Sequence, residues 1–337
     1  MHLNFASRPA RWLFTLCLLL PLAAHAAEPL PSWNDGASRE AIVAFVEAVT
    51  DEQGKDYVPS AERIAVFDND GTLWSEQPLY FQVLFALAEV KRLAPQHPEW
   101  KTQQPFKAVL EDDRKTLAES GMRGLMQIVT ATHTGISNDT FEQNARRWLA
   151  SSVHPRSQKP FTEMVFQPML ELLAYLRANG FKTYIVSGGE VAFMRTFAEE
   201  VYGIPPEQVI GTTFATRFQD QDGQLSIQRL AKLTHNDDGA GKPESIDAYI
   251  GRRPILAFGN SDGDLQMLQW TMAGPGRRFA GLVHHTDAKR EWAYDRQSQV
   301  GRLDKALDEA RNKDWVIVDM AREWNRVYPF DQDVNQH

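Results

Sequence analysis

Cysteine is almost missing from this sequence. The only one, Cys17 among 337 residues, lies in an N-terminal segment that reads as disposable. Arg8 and Arg11 give that segment a positive start, Trp12 to Leu22 is apolar, and Ala24-His25-Ala26 supplies the small-x-small pattern of a cleavage site. Residues 1–26 are therefore expected to be a secretory signal peptide. The apolar run is too short to span a bilayer as an ordinary helix, and a retained membrane anchor is the alternative. Leu16 is not small, which argues against lipid attachment at Cys17. Arg8 and Arg11 are not adjacent, which argues against a twin-arginine signal. A cleaved chain would hold no cysteine, so no disulfide could brace it and an oxidising compartment would not threaten it. The expected location is periplasmic or secreted, with no membrane partner after cleavage.

Positive charge is also scarce. Lys and Arg total 36 against 44 Asp and Glu, a formal net charge of -8, and loss of Arg8 and Arg11 makes the chain two units more negative. No long basic run offsets this, which excludes nucleic acid as the expected partner. An anionic substrate must be met by a local cluster rather than by the overall field. Internal repeats and low-complexity tracts are absent. The apolar content of 43% supports a substantial core.

The most informative stretch is Ile64-Ala65-Val66-Phe67-Asp68-Asn69-Asp70-Gly71-Thr72. Four apolar residues read as a buried strand that stops at two carboxylates one residue apart. Side chains alternate along an extended chain, so Asp68 and Asp70 leave the strand end on one side. Crowded there, they repel unless a cation lies between them, and a hard ion such as magnesium suits them. One can serve as nucleophile and the other as acid and base.

Elsewhere the sequence alternates helix and strand. Ser38 to about Glu52 reads as a helix, and Pro78 to about Trp148 as helical, with Met122, Leu125, Met126 and Val129 at helical spacing. After Pro160, Met169–Asn179 reads as a helix, Lys182–Val186 as a strand entering Ser187-Gly188-Gly189, and Val191 to about Val201 as one helix. Gln208–Ile210 reads as a short strand, and Phe214–Leu230 as a hairpin around Asp220-Gln221-Asp222-Gly223. Pro254–Phe258 is a strand entering Gly259-Asn260-Ser261-Asp262-Gly263-Asp264, with later strands at Ala280–Val283 and Val316–Val318. This pattern predicts an α/β fold, a Rossmann-like three-layer α/β/α core with a parallel sheet and an inserted helical cap. The expected boundaries are 27–76 and 161–337 for the core and 77–160 for the cap.

Three strands thus end in polar, glycine-containing turns, and ligands bind at the carboxyl ends of parallel strands. Ser187 and the amides of Ser187-Gly188-Gly189 can receive an anion. Lys242 can add a fixed positive charge. Each part alone is commonplace in turns and helix starts. Together and in this order they describe a phosphate site.

The ordered set resembles the haloacid dehalogenase-like hydrolase superfamily. Asp68-Asn69-Asp70-Gly71-Thr72 is similar to its first motif, and Ser187 in Val186-Ser187-Gly188-Gly189 to its second. Lys242 resembles its third-motif lysine, with Lys232 as a competitor, and Gly259-Asn260-Ser261-Asp262-Gly263-Asp264 its acidic fourth motif. The helices between the first two motifs look like the cap of the phosphoserine phosphatase-like branch. Secreted bacterial members, phosphorylcholine phosphatase among them, are the functional neighbours that the resemblance suggests.

What the resemblance implies is a magnesium-dependent phosphate monoester hydrolase acting on small organic phosphomonoesters through an aspartyl-phosphate. Asp68 would be the nucleophile and Asp70 the acid and base, with Thr72, Ser187, Gly188 and Lys242 on the phosphate. Mg2+ would be held by Asp68, Asp70 and the fourth turn. There the family usually has an aspartate where this chain has Asn260, so Asp262 or Asp264 is expected to compensate. A non-catalytic phosphoryl-ligand binding protein and a phosphotransferase to an alcohol acceptor are the alternatives. Trp74, Glu76, Tyr80, Trp100 and Trp148 either line the entrance, where Glu76 and aromatic faces would suit a cationic group, or pack as cap core. His284 and His285 follow a late strand that would end near the same edge. Asp237-Asp238 reads as a solvated loop.

Overall fold

The computed structural model describes residues 1, 2 and 29–331. Apart from its first two residues, the expected signal peptide, with Cys17, lies outside the described residues. Among the described residues, no helix is long and apolar enough to cross a membrane.

A seven-stranded sheet organises the chain, in spatial order β4-β3-β2-β1-β5-β6-β7. In chain order these strands are β1 (Ile64–Phe67), β2 (Lys182–Glu190), β3 (Val209–Gln221), β4 (Gln224–His235), β5 (Leu256–Gly259), β6 (Phe279–His284) and β7 (Val316–Asp319). All neighbours pair in parallel except β3 and β4. The centre is β1, whose four residues are all buried, as expected of a strand covered on both faces. Its alternation divides the core. Ala65 and Phe67 join Phe45, Val46 and Leu173 of α1 (Ala37–Thr50) and α7 (Gln167–Ala178). Ile64 and Val66 join Ile246, Leu268 and Leu307 of α10 (Gly241–Ile250), α11 (Leu265–Met272) and α12 (Lys305–Asn312). Two helical layers thus sandwich the sheet, the α/β architecture that alternating helix and strand signals require.

Register sets which turns share an edge. Phe67 lies opposite Ile185 of β2 and opposite Phe258 of β5, so β1 and β5 run out level with the approach to Ser187-Gly188-Gly189 in β2, which continues to Glu190. Over that edge, the segment joining β1 to β2 folds as α2 (Phe81–Leu93), α3 (Phe106–Leu110), α4 (Arg114–Glu119), α5 (Gly121–His133) and α6 (Asn138–Ser151). This layer is not built from that segment alone. The β3–β4 hairpin leaves the sheet and joins it: the Gly135 amide donates to the Arg229 carbonyl at 2.9 Å, and the Arg229 amide to the Ile136 carbonyl at 2.9 Å.

Three elements depart from their local signals. The strand expected to stop at Val186 runs on as β2 through Ser187-Gly188-Gly189 to Glu190. The short strand expected at Gln208–Ile210 extends through β3 to Gln221, because after Thr212 it exchanges its partner β2 for β4. The single helix expected from Val191 to Val201 is two pieces, α8 (Val191–Met194) and α9 (Ala198–Tyr202). The break at Phe197 sets its ring flat on Trp74, with centroids 4.4 Å apart. The Thr196 hydroxyl meanwhile takes the Phe193 carbonyl at 2.7 Å, the local competition that shortens helices. A last short helix, α13 (Met320–Glu323), follows β7.

Candidate active site

The turn after β1 is tight. The Asn69 carbonyl accepts from the amides of Thr72, Leu73 and Trp74, and the Gly71 amide donates to the Trp74 carbonyl. Gly71 has φ +77, and a Cβ there would come within 2.0 Å of Asn260 Nδ2 and 2.4 Å of Glu76 Oε1. Only glycine allows that approach.

Asp68 emerges from this turn onto Lys242. The ammonium donates to Asp68 Oδ1 at 2.6 Å, to Asp264 Oδ1 at 2.6 Å and to the Val186 carbonyl at 2.9 Å. It is 2% exposed. Lys232, the competing lysine, is exposed on β4. Burial opposes the charge on Lys242, but Asp264 and Asp68 outweigh it and hold the ammonium above the usual lysine range. Burial, followed by repulsion from Asp264, drives the Asp68 carboxyl well above the ordinary range in spite of Lys242. Asp70 accepts from Trp74 Nε1 at 2.8 Å, and burial, partly opposed by that bond, lifts its pKa to about 6. A carboxyl poised there can both give and take a proton near neutrality.

These groups open into a cavity of about 310 Å³ whose floor holds Asp68, Asp70, Ser187, Gly188, Gly189 and Lys242. A Cβ on Gly189 would lie 3.5 Å from Asp70 Oδ2 and 3.5 Å from the Ser187 hydroxyl, so glycine keeps the floor clear for a ligand.

Thr72 and Asp262 do not join this set. The Thr72 hydroxyl is fully buried and donates to Asn260 Oδ1 at 3.2 Å, behind the floor rather than at it. Asp262 Oδ1 accepts from the amides of Asp304 and Ala306, each at 2.9 Å, so it caps α12 and turns away from the carboxylates. Asp264 is spent on Lys242 and, through Oδ2, on the amides of Asn260 and Ser261. Of the fourth-turn candidates, Asn260 is the one beside the first turn, its Nδ2 donating to Glu76 Oε1 at 2.7 Å.

The five entrance-or-core candidates divide between the two readings. Trp74 is 1% exposed and braces Asp70, Trp100 stacks on Phe106, and Trp148 stacks on Phe161. Tyr80 and Glu76 do line the cavity. Asn260 Nδ2 and the Tyr294 hydroxyl both donate to Glu76 Oε1, each at 2.7 Å. Burial, against the Tyr294 bond, pushes its carboxyl well above its usual range. His285 is buried and bridges Glu291 Oε2 and the Gly71 carbonyl, at 3.0 and 2.8 Å, so it steadies the turn after β1. His284 instead faces Asp295 at 3.4 Å. Asp237 is fully buried, accepting from the Ser245 hydroxyl, whereas Asp238 is exposed and lines the cavity.

The residues fit a magnesium ion. The buried carboxylates of Asp68, Glu76 and Asp264 and the half-buried one of Asp70 gather near one ammonium, which Asp68 and Asp264 already share. The donors are all oxygen, as a hard cation requires. Among the described residues no three His, Cys, Asp or Glu side chains are gathered as a finished metal cage. An ion on Asp68 and Asp70 would complete its shell with backbone and amide oxygens and with water.

The family model described as haloacid dehalogenase-like hydrolase matches residues 65–269, from β1 into α11. The chain belongs to this family. Its span takes in Asp68, Ser187, Lys242 and Asp264, the residues that the sheet edge brings together. No curated protein matches the chain. Among solved structures, similarity is found to a protein of unknown function from Bordetella pertussis Tohama I. Its identity is 15%, over 77% of this chain and 99% of that one, at a TM-score of 0.48. A conserved functionally unknown protein from Anaerococcus prevotii DSM 20548 gives 17%, 81%, 88% and 0.47. A phosphoserine phosphohydrolase-like protein from Francisella tularensis subsp. tularensis SCHU S4 gives 15%, 68%, 90% and 0.37. Family membership rests on the sequence match alone.

The lining that sequence reasoning missed is the roof. Met122, Leu125, Met126 and Val129 of α5, with Phe214 of β3 and Leu233 of β4, close the cavity opposite the carboxylates. The helical spacing of the first four was readable, but not what that face covers.

Proposed function

We propose that the protein is a magnesium-dependent phosphatase of small phosphomonoesters, exported to the periplasm or secreted. The observation that carries this reading is the buried Asp68–Lys242–Asp264 bridge opening, beside Asp70, into a ligand-sized cavity.

Asp68 attacks phosphorus through a carboxylate oxygen, and the bond to the ester oxygen breaks. Asp70 protonates that oxygen, and the alcohol leaves. Asp70 then accepts a proton from the water that attacks the aspartyl-phosphate, releasing inorganic phosphate and restoring Asp68. Lys242, the Ser187 hydroxyl and the Gly188 amide hold the transferring oxygens. Thr72 acts behind them, fixing Asn260. Asp68, Asp70 and the Asn260 side chain would hold magnesium, which when bound would supply charge screening between carboxylate and phosphate dianion.

The test is phosphate release by the mature chain from para-nitrophenyl phosphate, with magnesium and with chelator, beside Asp68→Asn. Magnesium-dependent release that Asp68→Asn abolishes is expected. A folded protein that releases none yet is thermally stabilised by the ester would be a binding protein. Transfer of the phosphoryl group to an added alcohol in preference to water would mark a phosphotransferase.

A further inference from the structure

The cavity pairs a charged floor with a roof that offers no charge. Met122, Leu125, Met126, Val129, Phe214 and Leu233 face Asp70 and Ser187 across a space of about 310 Å³, at the lower end of small-ligand pockets. That is room for a phosphoryl group and one modest organic group, since it equals the liquid volume of about ten waters.

What the leaving group meets is decided by which charges are free. Lys242 is the sole cation lining the cavity among the described residues, and Asp68 and Asp264 hold it on the floor. Arg229, the nearest guanidinium behind the lining, donates to Glu190 and to Asn138, with its Nε on the His133 carbonyl. A carboxylate on the leaving group would therefore lie unpaired against apolar side chains, near Asp238 and Glu76, an expensive placement. Glu190 is paired with Arg229 and Gln82, while Tyr294 and Asn260 both donate to Glu76 Oε1. The tryptophans are packed elsewhere, so among the described residues no aromatic cage lines the cavity, and its roof is left to apolar side chains.

We infer that the substrate is the phosphate ester of an alcohol whose organic part is apolar and carries no carboxylate, an alkyl or aryl group held by the α5 methionine face and the base of the β3–β4 hairpin. This rests on the phosphatase reading, and its test is built to separate the two. Each methylene packed on the roof is worth about fourfold in binding or kcat/KM.

Two measurements on the mature chain with magnesium decide the matter. The first is kcat/KM for methyl phosphate, butyl phosphate, hexyl phosphate and O-phosphoserine. Hexyl phosphate is expected to lead, at least tenfold above methyl phosphate and phosphoserine. Phosphoserine or methyl phosphate at or above hexyl phosphate would overturn the inference and leave the phosphatase standing. The second is calorimetric binding of methylphosphonate, hexylphosphonate and 3-phosphonopropionate, which needs no turnover. Hexylphosphonate is expected to bind at least tenfold tighter than either of the others, and Met126→Lys to reverse its order with 3-phosphonopropionate. Equal binding of all three, or none, would overturn the inference even if every ester proved inert, an outcome that on its own would overturn the phosphatase reading.

Discussion

Removing one guanidinium should loosen the whole roof. Arg229 is 3% exposed, and so is the Glu190 side chain it pairs with. The same guanidinium reaches the His133 carbonyl at the end of α5 and Asn138 Oδ1 at the start of α6, and lies 4.0 Å from the Phe141 ring centre. It thus ties β4, α5, α6 and the end of β2 together. Burial lifts the Glu190 carboxyl above its usual range even with Arg229 beside it, so losing the cation leaves a buried charge with only Gln82 to meet it. Breaking such a pair from one side costs about 3–5 kcal/mol. Arg229→Met should therefore lower stability by about 4 kcal/mol, and Glu190→Gln by about 3 kcal/mol, since Arg229 would keep two neutral acceptors. The double variant removes both charges and should recover to within about 2 kcal/mol of wild type, a coupling of several kcal/mol. Urea unfolding at pH 7, followed by tryptophan fluorescence and far-ultraviolet circular dichroism, reads these values where the two curves coincide. A loss under about 1 kcal/mol for Arg229→Met, or a double variant equal to the sum of the singles, would refute the reasoning.

Asp262→Ala should cost about 1 kcal/mol of stability, the worth of a helix cap, and leave the magnesium dependence of turnover unchanged; a weakened magnesium response would return Asp262 to the metal site. His133 is buried neutral with its pKa lowered to about 3 from 6.5, by burial and then by Arg229. The unfolded chain takes up this proton below about pH 6.5 and the folded chain only near 3, so stability is complete above 6.5 and falls as pH drops towards 3. From pH 7 to pH 5 this group removes about 2 kcal/mol, a loss that His133→Leu should abolish in paired urea titrations. Asn260→Asp replaces a donor to Glu76 with a second carboxylate. Its melting temperature should fall in chelator and rise more steeply with magnesium than that of wild type, and equal slopes would count against a metal beside Asn260.

How much of this was readable depended on distance along the chain. The three strand ends were visible because each is a local event, an apolar run halted by carboxylates or glycines. Their adjacency followed from the rules for parallel sheets. Lys242 and Lys232 could not be ranked by sequence, since what separates them is burial against Asp68, 174 residues away. Asp262 looked like a ligand because its partners, Asp304 and Ala306, are more than 40 residues downstream. Asp237 looked solvated because its amide partner Thr212 comes from β3, and only the fold brings that strand and Ser245 of α10 together around it. Trp74 has a local partner in Asp70, yet its role depends on Phe197 breaking a helix that propensity alone would have kept whole.

The hairpin from β3 to β4 has a mechanical consequence. The helical layer joins the sheet where the chain enters before Phe81 and where it leaves after Ser151, and two such joints would define a hinge axis. The ladder between residues 135–137 and β4 is a third joint, carried on a ribbon continuous with the sheet edge and bolted by Arg229. A body pinned at three separate points does not swing. Admission to the cavity then falls to side chains at its mouth, where Met122 is 71% exposed and Leu233 40%. The doorway is made of rotamers, which turn over in picoseconds to nanoseconds rather than at the pace of moving domains.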